Sequence, residues 1–312
     1  LQREANRIYG MTAKQTLDTA QSLYEKKLIT YPRTDSQYLT EDMEQTARNV
    51  VRQIYEKYQL TGPFDQPEQP DVKKVMNNSK VTDHHAIIPT MELASCHLDE
   101  LKSWEEKILF LIAVHTVMAM SKDHIYQETE IEVECQEEIF KAKGKIVLQD
   151  GWKLFENCFK NKDRMAIVDP DQEMKERMPK VTQGQTFYAV DAEKTEHFTS
   201  PPKPYSEDTL LAAMETAGNK EFDEDTEKKG LGTPATRAGI IEKLIYSQYA
   251  TRKGKQILPT EAVAAGTAAW ALAPRSFNDK RRNFVPSVPD AWYAHRGLHD
   301  AGSGLTHRYA AE

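Results

Sequence analysis

The chain has 312 residues, of which 39% are hydrophobic and 29% are charged. These proportions are ordinary for a soluble globular protein, and the length is sufficient for two or three domains. The net charge of −7 argues against a uniformly basic nucleic-acid-binding domain, but it leaves room for a local basic groove. The three cysteines are far apart and form no Cys-x-x-Cys pair, so neither a disulfide framework nor a zinc ribbon is indicated.

Nothing in the sequence indicates a membrane protein. The longest apolar run, residues 108–120, is too short to span a bilayer and favours a buried helix. No signal peptide opens the chain, and the first residue, Leu1, is not a methionine. We therefore expect a cytoplasmic protein without a membrane partner, and we expect the chain to be a fragment of a longer protein.

Two amphipathic helices are predicted near the start of the chain. Thr12 and Gln15 have the spacing of a capping box, and they open a helix over residues 12–28 with apolar residues at helical intervals. Thr40 is placed to cap a second helix that runs to about Tyr58. The residues that follow position 28 would then lie at the C-terminal end of the first helix.

Between these helices a proline places a tyrosine next to an arginine. Pro32 fixes its own φ at about −65° and pushes Tyr31 toward an extended conformation, so the first helix must end before it. Alternate side chains of an extended segment share a face, which puts Tyr31 beside Arg33. Two interpretations follow: a nucleophile candidate next to a permanent cation, or a turn with a half-buried tyrosine and a solvated arginine.

Two adjacent histidines, His84 and His85, precede a short apolar strand that Pro89 closes. A histidine pair suggests metal binding, but neighbouring residues on a strand face opposite ways, and no cysteine or third histidine lies near them in the sequence. An inert surface pair is the alternative. The residues alone leave both interpretations open.

The middle of the chain changes from a helix to alternating strands. Ser103 and Glu106 form a second predicted capping box, which opens an apolar helix over residues 104–120 with His115 at the core or its rim. From residue 126 glutamates alternate with apolar residues, which predicts a half-buried strand with a solvated acidic face. Further strands are predicted over residues 139–148, 165–168 and 186–190, within an antiparallel β-rich segment over residues 123–200.

A proline-rich linker at residues 200–204 precedes a segment that we expect to be helical to about residue 260. Ser206 is placed to cap a helix that ends near Gly218. The next residues include an acidic Asp-x-Asp-x-Glu run over residues 223–227, which lies among lysines and follows no apolar strand. We interpret this run as a solvated loop, and we predict no metal site in the chain.

A further helix is predicted to begin with Thr233 as the N-cap and Pro234 in the first helical position. Helix N-termini present free amide groups that favour anions. With Thr233, Thr236 and Arg237 close to this end, the sequence predicts a seat for a phosphate group. The alternative is a well-capped helix without a ligand.

The end of the chain differs in composition from the rest. Residues 1–260 contain 26 lysines and nine arginines, whereas residues 261–312 contain one lysine, five arginines and twelve alanines. The stretch AWYAHRGLHD, residues 291–300, resembles the start of a glycerophosphodiester phosphodiesterase, in which His295 and Arg296 would be active-site residues. We interpret residues 261–312 as a foreign or disordered tail without a function of its own.

Three motifs, in order along the chain, resemble the type IA DNA topoisomerases, in particular bacterial topoisomerase III. They are LYEKKLITYPRTDS at residues 23–36, TDHHAIIPT at residues 82–90 and GLGTPATRA at residues 230–238. A fourth and weaker match is PPKPYSE at residues 201–207. The resemblance covers residues 1 to about 260.

This resemblance implies a multidomain α+β fold that is one piece of a toroidal enzyme. Residues 1–122 would form a helical domain that carries the catalytic tyrosine. Residues 123–200 would form the β-rich arch of the gate, and residues 201–260 would form a helical DNA-binding segment.

The resemblance also implies which residues act. Tyr31 would be the nucleophile that forms a 5′-phosphotyrosine, and Arg33 would hold the phosphate. His84 would assist proton transfer or hold the scissile phosphate, and the pKa of an unperturbed histidine, about 6.5, suits either task. The expected DNA-binding residues are Thr34, Asp35, Ser36, Thr233, Thr236 and Arg237.

The partner that the resemblance implies is single-stranded DNA. In these enzymes an N-terminal TOPRIM domain supplies the carboxylates that bind Mg²⁺, and this sequence has no counterpart of that domain. The chain is therefore expected to be an incomplete, ATP-independent isomerase that is inactive alone. A non-enzymatic single-stranded DNA-binding module is the alternative, and a phosphodiesterase that begins in the tail is a third hypothesis.

Overall fold

The computed structural model describes residues 1–60, 70–135, 137–160, 181–188, 194–217, 230–261 and 263. Three predicted features lie outside these residues, namely the strand at 165–168, the acidic run at 223–227 and the tail with His295 and Arg296. The described residues combine helices with antiparallel strands, which confirms the mixed helix-and-sheet class.

The chain separates into two compact units. One contains residues 1–190 and 207–243, and the other contains residues 191–206 and 244–312. The described residues contain seven α-helices, which are α1 (Gln2–Tyr9), α2 (Ala13–Glu25), α3 (Glu44–Tyr58), α4 (Ser103–Ala119), α5 (Lys153–Lys160), α6 (Glu207–Thr216) and α7 (Pro234–Tyr246). They also contain four strands, β1 (Ile125–Cys135), β2 (Glu138–Gln149), β3 (Ala250–Lys253) and β4 (Gln256–Pro259). The division into domains at residues 122 and 200 stays a prediction.

The capping residue predicted for the first helix caps it in the structure, whereas the one predicted for the second helix precedes a 3₁₀ turn. At α2 the capping box is present in both directions, because the Thr12 amide donates to the Gln15 side chain at 3.0 Å and the Gln15 amide donates to the Thr12 hydroxyl at 3.1 Å. Thr40 precedes a short 3₁₀ helix, Glu41–Met43, and α3 begins directly after it. The predicted helix is therefore confirmed, but its first turn is wound more tightly than an α-helix.

Helix α4 lies at the centre of the core of the first unit. It packs against α2 and α3, so it needs apolar residues on several sides rather than along one stripe. Among its fully buried residues are Ile108, Leu109, Leu111 and Val114. None of the helices in the described part of the chain, α4 included, is long and apolar enough to cross a membrane.

The predicted capping box of α4 is one residue out of register. The carboxylate that accepts the Lys102 amide, at 3.0 Å, belongs to Glu105 and not to Glu106. Glu105 is buried, and its carboxylate also accepts hydrogen bonds from the Ser22 hydroxyl and the Lys26 ammonium, each at 2.7 Å. The partners from α2 and the residue that follows it therefore decide which glutamate caps α4.

Strands β1 and β2 form the antiparallel hairpin that the alternation predicts. Glu132 lies opposite Lys141 and Glu130 lies opposite Lys143, while Ile131 between the glutamates is half-buried. Cross-strand pairs of opposite charge stabilise such a ribbon modestly. The strand predicted at residues 186–190 is not seen in its described part, residues 186–188, because no described neighbour pairs with it.

The described part of the second unit is built on a smaller hairpin. Strands β3 and β4 pair antiparallel across a turn in which Gly254 has a φ of 60°, a conformation that favours glycine. Ile257 of β4 is buried, and its amide donates to the carbonyl of Tyr205 at 2.7 Å. The residues that follow the predicted proline-rich linker are thus tied to this hairpin.

Candidate active site

The Tyr31 segment leaves helix α2 through a left-handed residue. The helix ends at Glu25, and Lys27 has a φ of 61°, which turns the chain away from the helix axis. Ile29 and Pro32 are both buried, so the chain is anchored to the core on either side of Tyr31. The predicted helix over residues 12–28 thus ends three residues early, at the left-handed turn and not at the proline, and the buried Pro32 fixes the chain next to Tyr31.

A second stretch of chain, residues 84–90, lies alongside this segment. The Thr30 amide donates to the Ile88 carbonyl at 2.9 Å, and the Ile88 amide donates back to the Thr30 hydroxyl at 3.0 Å. The Thr34 hydroxyl donates to the His84 carbonyl at 2.8 Å. These bonds join the first two predicted motifs on both sides of Tyr31.

The side chains of Tyr31 and His84 are in contact. Their ring centroids are 4.3 Å apart with the ring planes at 44°, and the ring of Tyr24 meets the Tyr31 ring edge-on at 5.4 Å. Tyr31 is half-buried, whereas Arg33 and His84 are exposed. The arrangement presents a phenol, an imidazole and, two residues along the chain, a guanidinium at the surface.

The two histidines of the second motif have different surroundings. His85 is half-buried, and its Nδ1 lies 2.8 Å from the Ala86 carbonyl, whereas His84 is exposed beside Tyr31. In the described part of the chain no group of three or more His, Cys, Asp or Glu side chains could hold a metal ion. The paired histidines therefore lack a third ligand among those residues.

The third motif begins as a tight loop against helix α6. Gly230 has a φ of 66°, and a Cβ at this position would lie 2.3 Å from the Glu215 carbonyl oxygen, so only glycine fits. The Leu231 amide donates to the Met214 carbonyl at 2.7 Å. Arg237 on α7 is buried, and its Nε donates to the Leu231 carbonyl at 3.0 Å, which closes the loop from the other side.

The threonines of this motif lie at the N-terminus of α7, as predicted. The Thr233 amide donates to the Thr236 hydroxyl at 2.8 Å, and the two hydroxyl oxygens are 3.1 Å apart. Both residues are exposed. Pro234 occupies the first helical position, where its missing amide hydrogen costs no hydrogen bond.

A cavity of about 470 Å³ lies between the first and third motifs. Its lining includes four of the predicted DNA-binding residues, which are Thr34, Asp35, Ser36 and Arg237. Tyr31, Arg33, His84, Thr233 and Thr236 are not part of that lining. The polar lining is mixed in charge, because Arg3, Glu4 and Glu215 contribute as well.

Sequence reasoning places one residue of this site correctly and misses two others. His115, expected at the core or its rim, is half-buried and lines the cavity, and its burial lowers its pKa. Tyr38 and Lys80 were not singled out, yet they line a second, open cavity of about 430 Å³ beside residues 35–37. A lysine next to the second motif was the available signal, but only the folded chain brings it to Tyr38.

Comparison with known proteins supports the resemblance that the motifs carry. A sequence model described as DNA topoisomerase matches residues 1–267. The chain is 37% identical over 278 residues to DNA topoisomerase 3 of Bacillus licheniformis, covering 83% of this chain and 36% of that protein. It is 35% identical over 271 residues to DNA topoisomerase 3 of Salmonella typhimurium, covering 84% of this chain and 40% of that protein.

A solved structure shows a similar fold. Full-length topoisomerase I from Thermotoga maritima superposes with a TM-score of 0.53 and 21% sequence identity, covering 86% of this chain and 41% of that chain. The chain therefore belongs to the type IA DNA topoisomerase family. It spans little more than a third of the length of the curated relatives named above.

Proposed function

We propose that residues 1–260 carry the tyrosine half of a type IA topoisomerase active site, which cleaves and rejoins one strand of DNA. The observation that carries this proposal is the contact between Tyr31 and His84, at 4.3 Å between ring centroids. These residues come from two separate family motifs, and hydrogen bonds on both sides of Tyr31 hold the two motifs together.

The proposed reaction exchanges one phosphodiester bond for another. The Tyr31 oxygen attacks the scissile phosphorus, the bond from phosphorus to the 3′ oxygen breaks, and a 5′-phosphotyrosine forms. A phenol has a pKa of about 10 in water, so it must give up its proton as the new bond forms, and the leaving 3′ oxygen takes up a proton. Attack by the 3′ hydroxyl reverses these steps, so religation needs no ATP.

Arg33 and His84 have the chemistry that this reaction needs. The exposed guanidinium of Arg33 offers a planar fork of donors to two phosphate oxygens, and a donor aimed at developing charge typically contributes about 3 kcal/mol. The imidazole of His84 lies against the phenol, where it can accept the tyrosine proton or donate a hydrogen bond to the phosphate.

The cavity lined by Thr34, Asp35, Ser36 and Arg237 is proposed to hold single-stranded DNA. Arg237 is buried, and no carboxylate pairs with it among the residues that the structure describes. Burying an unpaired charge is costly, so a phosphate group at this guanidinium would be stabilising. Thr233 and Thr236 at the N-terminus of α7 are proposed as further contacts to the DNA backbone.

The metal-binding half of the active site is proposed to lie outside this chain. The described residues do not fit Mg²⁺, because no three of their carboxylate, histidine or cysteine side chains are grouped as ligands. The TOPRIM domain of the family is the proposed partner that supplies those carboxylates. A place in a toroidal, multidomain enzyme and a cytoplasmic location, where bacterial DNA lies, belong to the same proposal.

The chain alone should not relax supercoiled DNA, even when Mg²⁺ is added, because the tyrosine half-site lacks the metal-binding half. A chimera should relax DNA if residues 1–260 replace the matching segment of the Bacillus subtilis DNA topoisomerase 3, which is 37% identical over 272 residues. Gel analysis of supercoiled plasmid measures both outcomes. Relaxation by the chain alone would contradict the half-site proposal.

Replacing Arg33 or Arg237 with alanine should weaken the binding of single-stranded DNA by the chain. We expect a loss of about fivefold at low salt for each variant, and a salt slope that is shallower by about 0.7 because one phosphate contact is lost. Arg52→Ala is the matched control, since Arg52 is an exposed arginine on α3. Fluorescence-anisotropy titrations at several salt concentrations measure the effect. If both variants bind like Arg52→Ala, the DNA groove is wrongly placed.

A non-enzymatic single-stranded DNA-binding module is the second candidate function. The observation that favours it is that Tyr31 is not among the residues lining the larger cavity. This function also predicts that Arg237→Ala weakens DNA binding, but it predicts a chimera that binds DNA and does not relax it. The relaxation assay therefore separates the two candidates.

A further inference from the structure

The second cavity, beside residues 35–37, contains a lysine held in place by a tyrosine. The Lys80 ammonium lies 4.6 Å from the centroid of the Tyr38 ring and donates to the Tyr38 hydroxyl at 3.1 Å. Asp35, Ser36, Gln37 and Thr82 complete the lining of this cavity of about 430 Å³. We propose that Lys80, positioned by Tyr38, binds a backbone phosphate of the DNA strand on the 3′ side of the cleavage point.

The backbone around this cavity is continuous with the Tyr31 site. The Ser36 hydroxyl donates to the Lys80 carbonyl at 2.9 Å, just as the Thr34 hydroxyl donates to the His84 carbonyl at 2.8 Å. The Ala86 amide donates to the Tyr38 carbonyl at 2.8 Å. One pair of neighbouring stretches, residues 30–38 and 80–88, therefore carries both the cleavage residues and the proposed subsite.

The distance along the chain sets how far the subsite is from the cleavage point. Lys80 is four residues from His84, and four residues span at most about 14 Å when fully extended. Each strand of double-helical DNA has one phosphate per ~3.4 Å of helix axis, which is a lower limit for their separation along the strand. The phosphate that Lys80 binds is thus one of about the first four that follow the scissile phosphate.

The chemistry of Lys80 suits a phosphate better than a carboxylate or a base. The residue is exposed and forms no ion pair with any residue that the structure describes. Contact with an aromatic ring and its hydroxyl restricts the ammonium without neutralising it, so its remaining donors stay available. The Thr82 hydroxyl, which lines the same cavity, is a second donor to phosphate oxygens.

Assigning Lys80 to the 3′ side of the break is part of the proposal, and it rests on the proposed function. The 5′-phosphotyrosine leaves the DNA on the 3′ side of the break bonded to Tyr31. That strand starts at Tyr31, as does the strand that ends in the free 3′ hydroxyl, so the test below uses an oligonucleotide that imitates the tethered strand. Lys80 lies on the stretch that contains His84, so it is placed to hold the tethered strand during strand passage.

The test uses the full chain and 5′-phosphorylated octathymidylate with a fluorescein at its 3′ end, because the 5′ phosphate imitates the group bound at Tyr31. Lys80→Ala should weaken binding about fivefold at low salt and make the salt slope shallower by about 0.7. Lys80→Arg should restore most of the affinity, and Tyr38→Phe should give a smaller loss. Lys73→Ala, at an exposed lysine of the same connection, is the control.

Neutral linkages identify the phosphate that Lys80 binds. Methylphosphonates at the four linkages nearest the 5′ phosphate should weaken binding to the unaltered chain and remove the difference between that chain and Lys80→Ala. Methylphosphonates at the three remaining linkages should leave the difference intact. The assigned position would be wrong if Lys80→Ala still bound more weakly than the unaltered chain to the oligonucleotide with methylphosphonates at the four linkages nearest the 5′ phosphate.

The outcomes also separate this inference from the proposed function. If Arg33→Ala and Arg237→Ala weaken binding while Lys80→Ala matches Lys73→Ala, the subsite is wrong and the proposed function stands. If neither arginine variant changes binding, the DNA groove itself is wrong. Circular dichroism of each variant confirms that the fold is kept, which is expected because Lys80 is exposed.

Discussion

Replacing Tyr31 with phenylalanine should abolish DNA relaxation by the chimera that carries residues 1–260. The substitution removes only the oxygen that forms the bond to phosphorus, while the ring that contacts His84 stays in place. Loss of a nucleophile typically lowers the rate by about a thousandfold or more. Binding of single-stranded DNA should change little, because Tyr31 lies outside the lining of the larger cavity.

Tyr24→Phe is the matched control for this experiment. Tyr24 packs edge-on against Tyr31 at 5.4 Å, and the substitution keeps that ring while it removes a hydroxyl from the same neighbourhood. The assay measures plasmid relaxation and, in parallel, the DNA that stays bound to protein after denaturation with detergent. If the Tyr31→Phe chimera still relaxes DNA or still forms the covalent adduct, Tyr31 is not the nucleophile.

Replacing Glu105 with glutamine should destabilise the first unit. The buried carboxylate accepts hydrogen bonds from the Ser22 hydroxyl, the Lys26 ammonium and the Lys102 amide. A neutral amide cannot accept all three, because the NH₂ group that replaces one carboxylate oxygen can only donate, and the ion pair with Lys26 is lost as well. Breaking such a network costs about 2 to 3 kcal/mol, which lowers the melting temperature by about 5 to 10 °C for a unit of this size.

The destabilisation should depend on pH in a defined direction. Burial by itself raises the pKa of Glu105, but the hydrogen bonds from Lys26, Ser22 and Lys102 lower it by more, to about 2. A pKa below the ordinary carboxyl value means that the ionised form stabilises the folded state. The difference in unfolding free energy between the unaltered chain and Glu105→Gln should have its largest value near pH 7. It should decrease as the pH falls from about 4.5 toward 2.

Urea unfolding at pH 7, 5, 4 and 3 measures this dependence. Glu100→Gln is the control, since Glu100 is an exposed glutamate in the turn that precedes α4. Equal stabilities of Glu105→Gln and Glu100→Gln at pH 7 would show that the network contributes nothing. A difference that grows on acidification would contradict the assigned sign.

Local signals in the sequence were sufficient for several elements that depend on nearby residues, but not for the β3–β4 hairpin, which lies in a segment that was expected to be helical. The capping box of Thr12 and Gln15 and the start of α7 at Pro234 lie where the sequence predicts them, whereas α2 ends at Glu25 and not at residue 28. The alternation of glutamates with apolar residues correctly predicts strand β1, which pairs with β2. Capping, proline geometry and two-residue periodicity are short-range effects, so they can be derived without the fold.

Features that depend on long-range partners were predicted less well. Glu105 replaced Glu106 as the cap of α4 because Ser22 and Lys26 reach it from α2 and the residue that follows it, 83 and 79 residues earlier in the chain. The strand at residues 186–190 was predicted from its composition, but a strand needs a hydrogen-bonded neighbour, and none is described for residues 186–188.

The sequence by itself determined the family, through three motifs, and it supplied the residue types for a phosphoryl-transfer site. Tertiary structure decided which of those residues meet. Tyr31 touches His84, Arg237 shares a cavity with Thr34, and Lys80 reaches Tyr38 across 42 residues of chain. The physical reason is that motif spacing constrains only local geometry, whereas contacts between motifs depend on how the helices pack, α2 against α4 and α6 against α1.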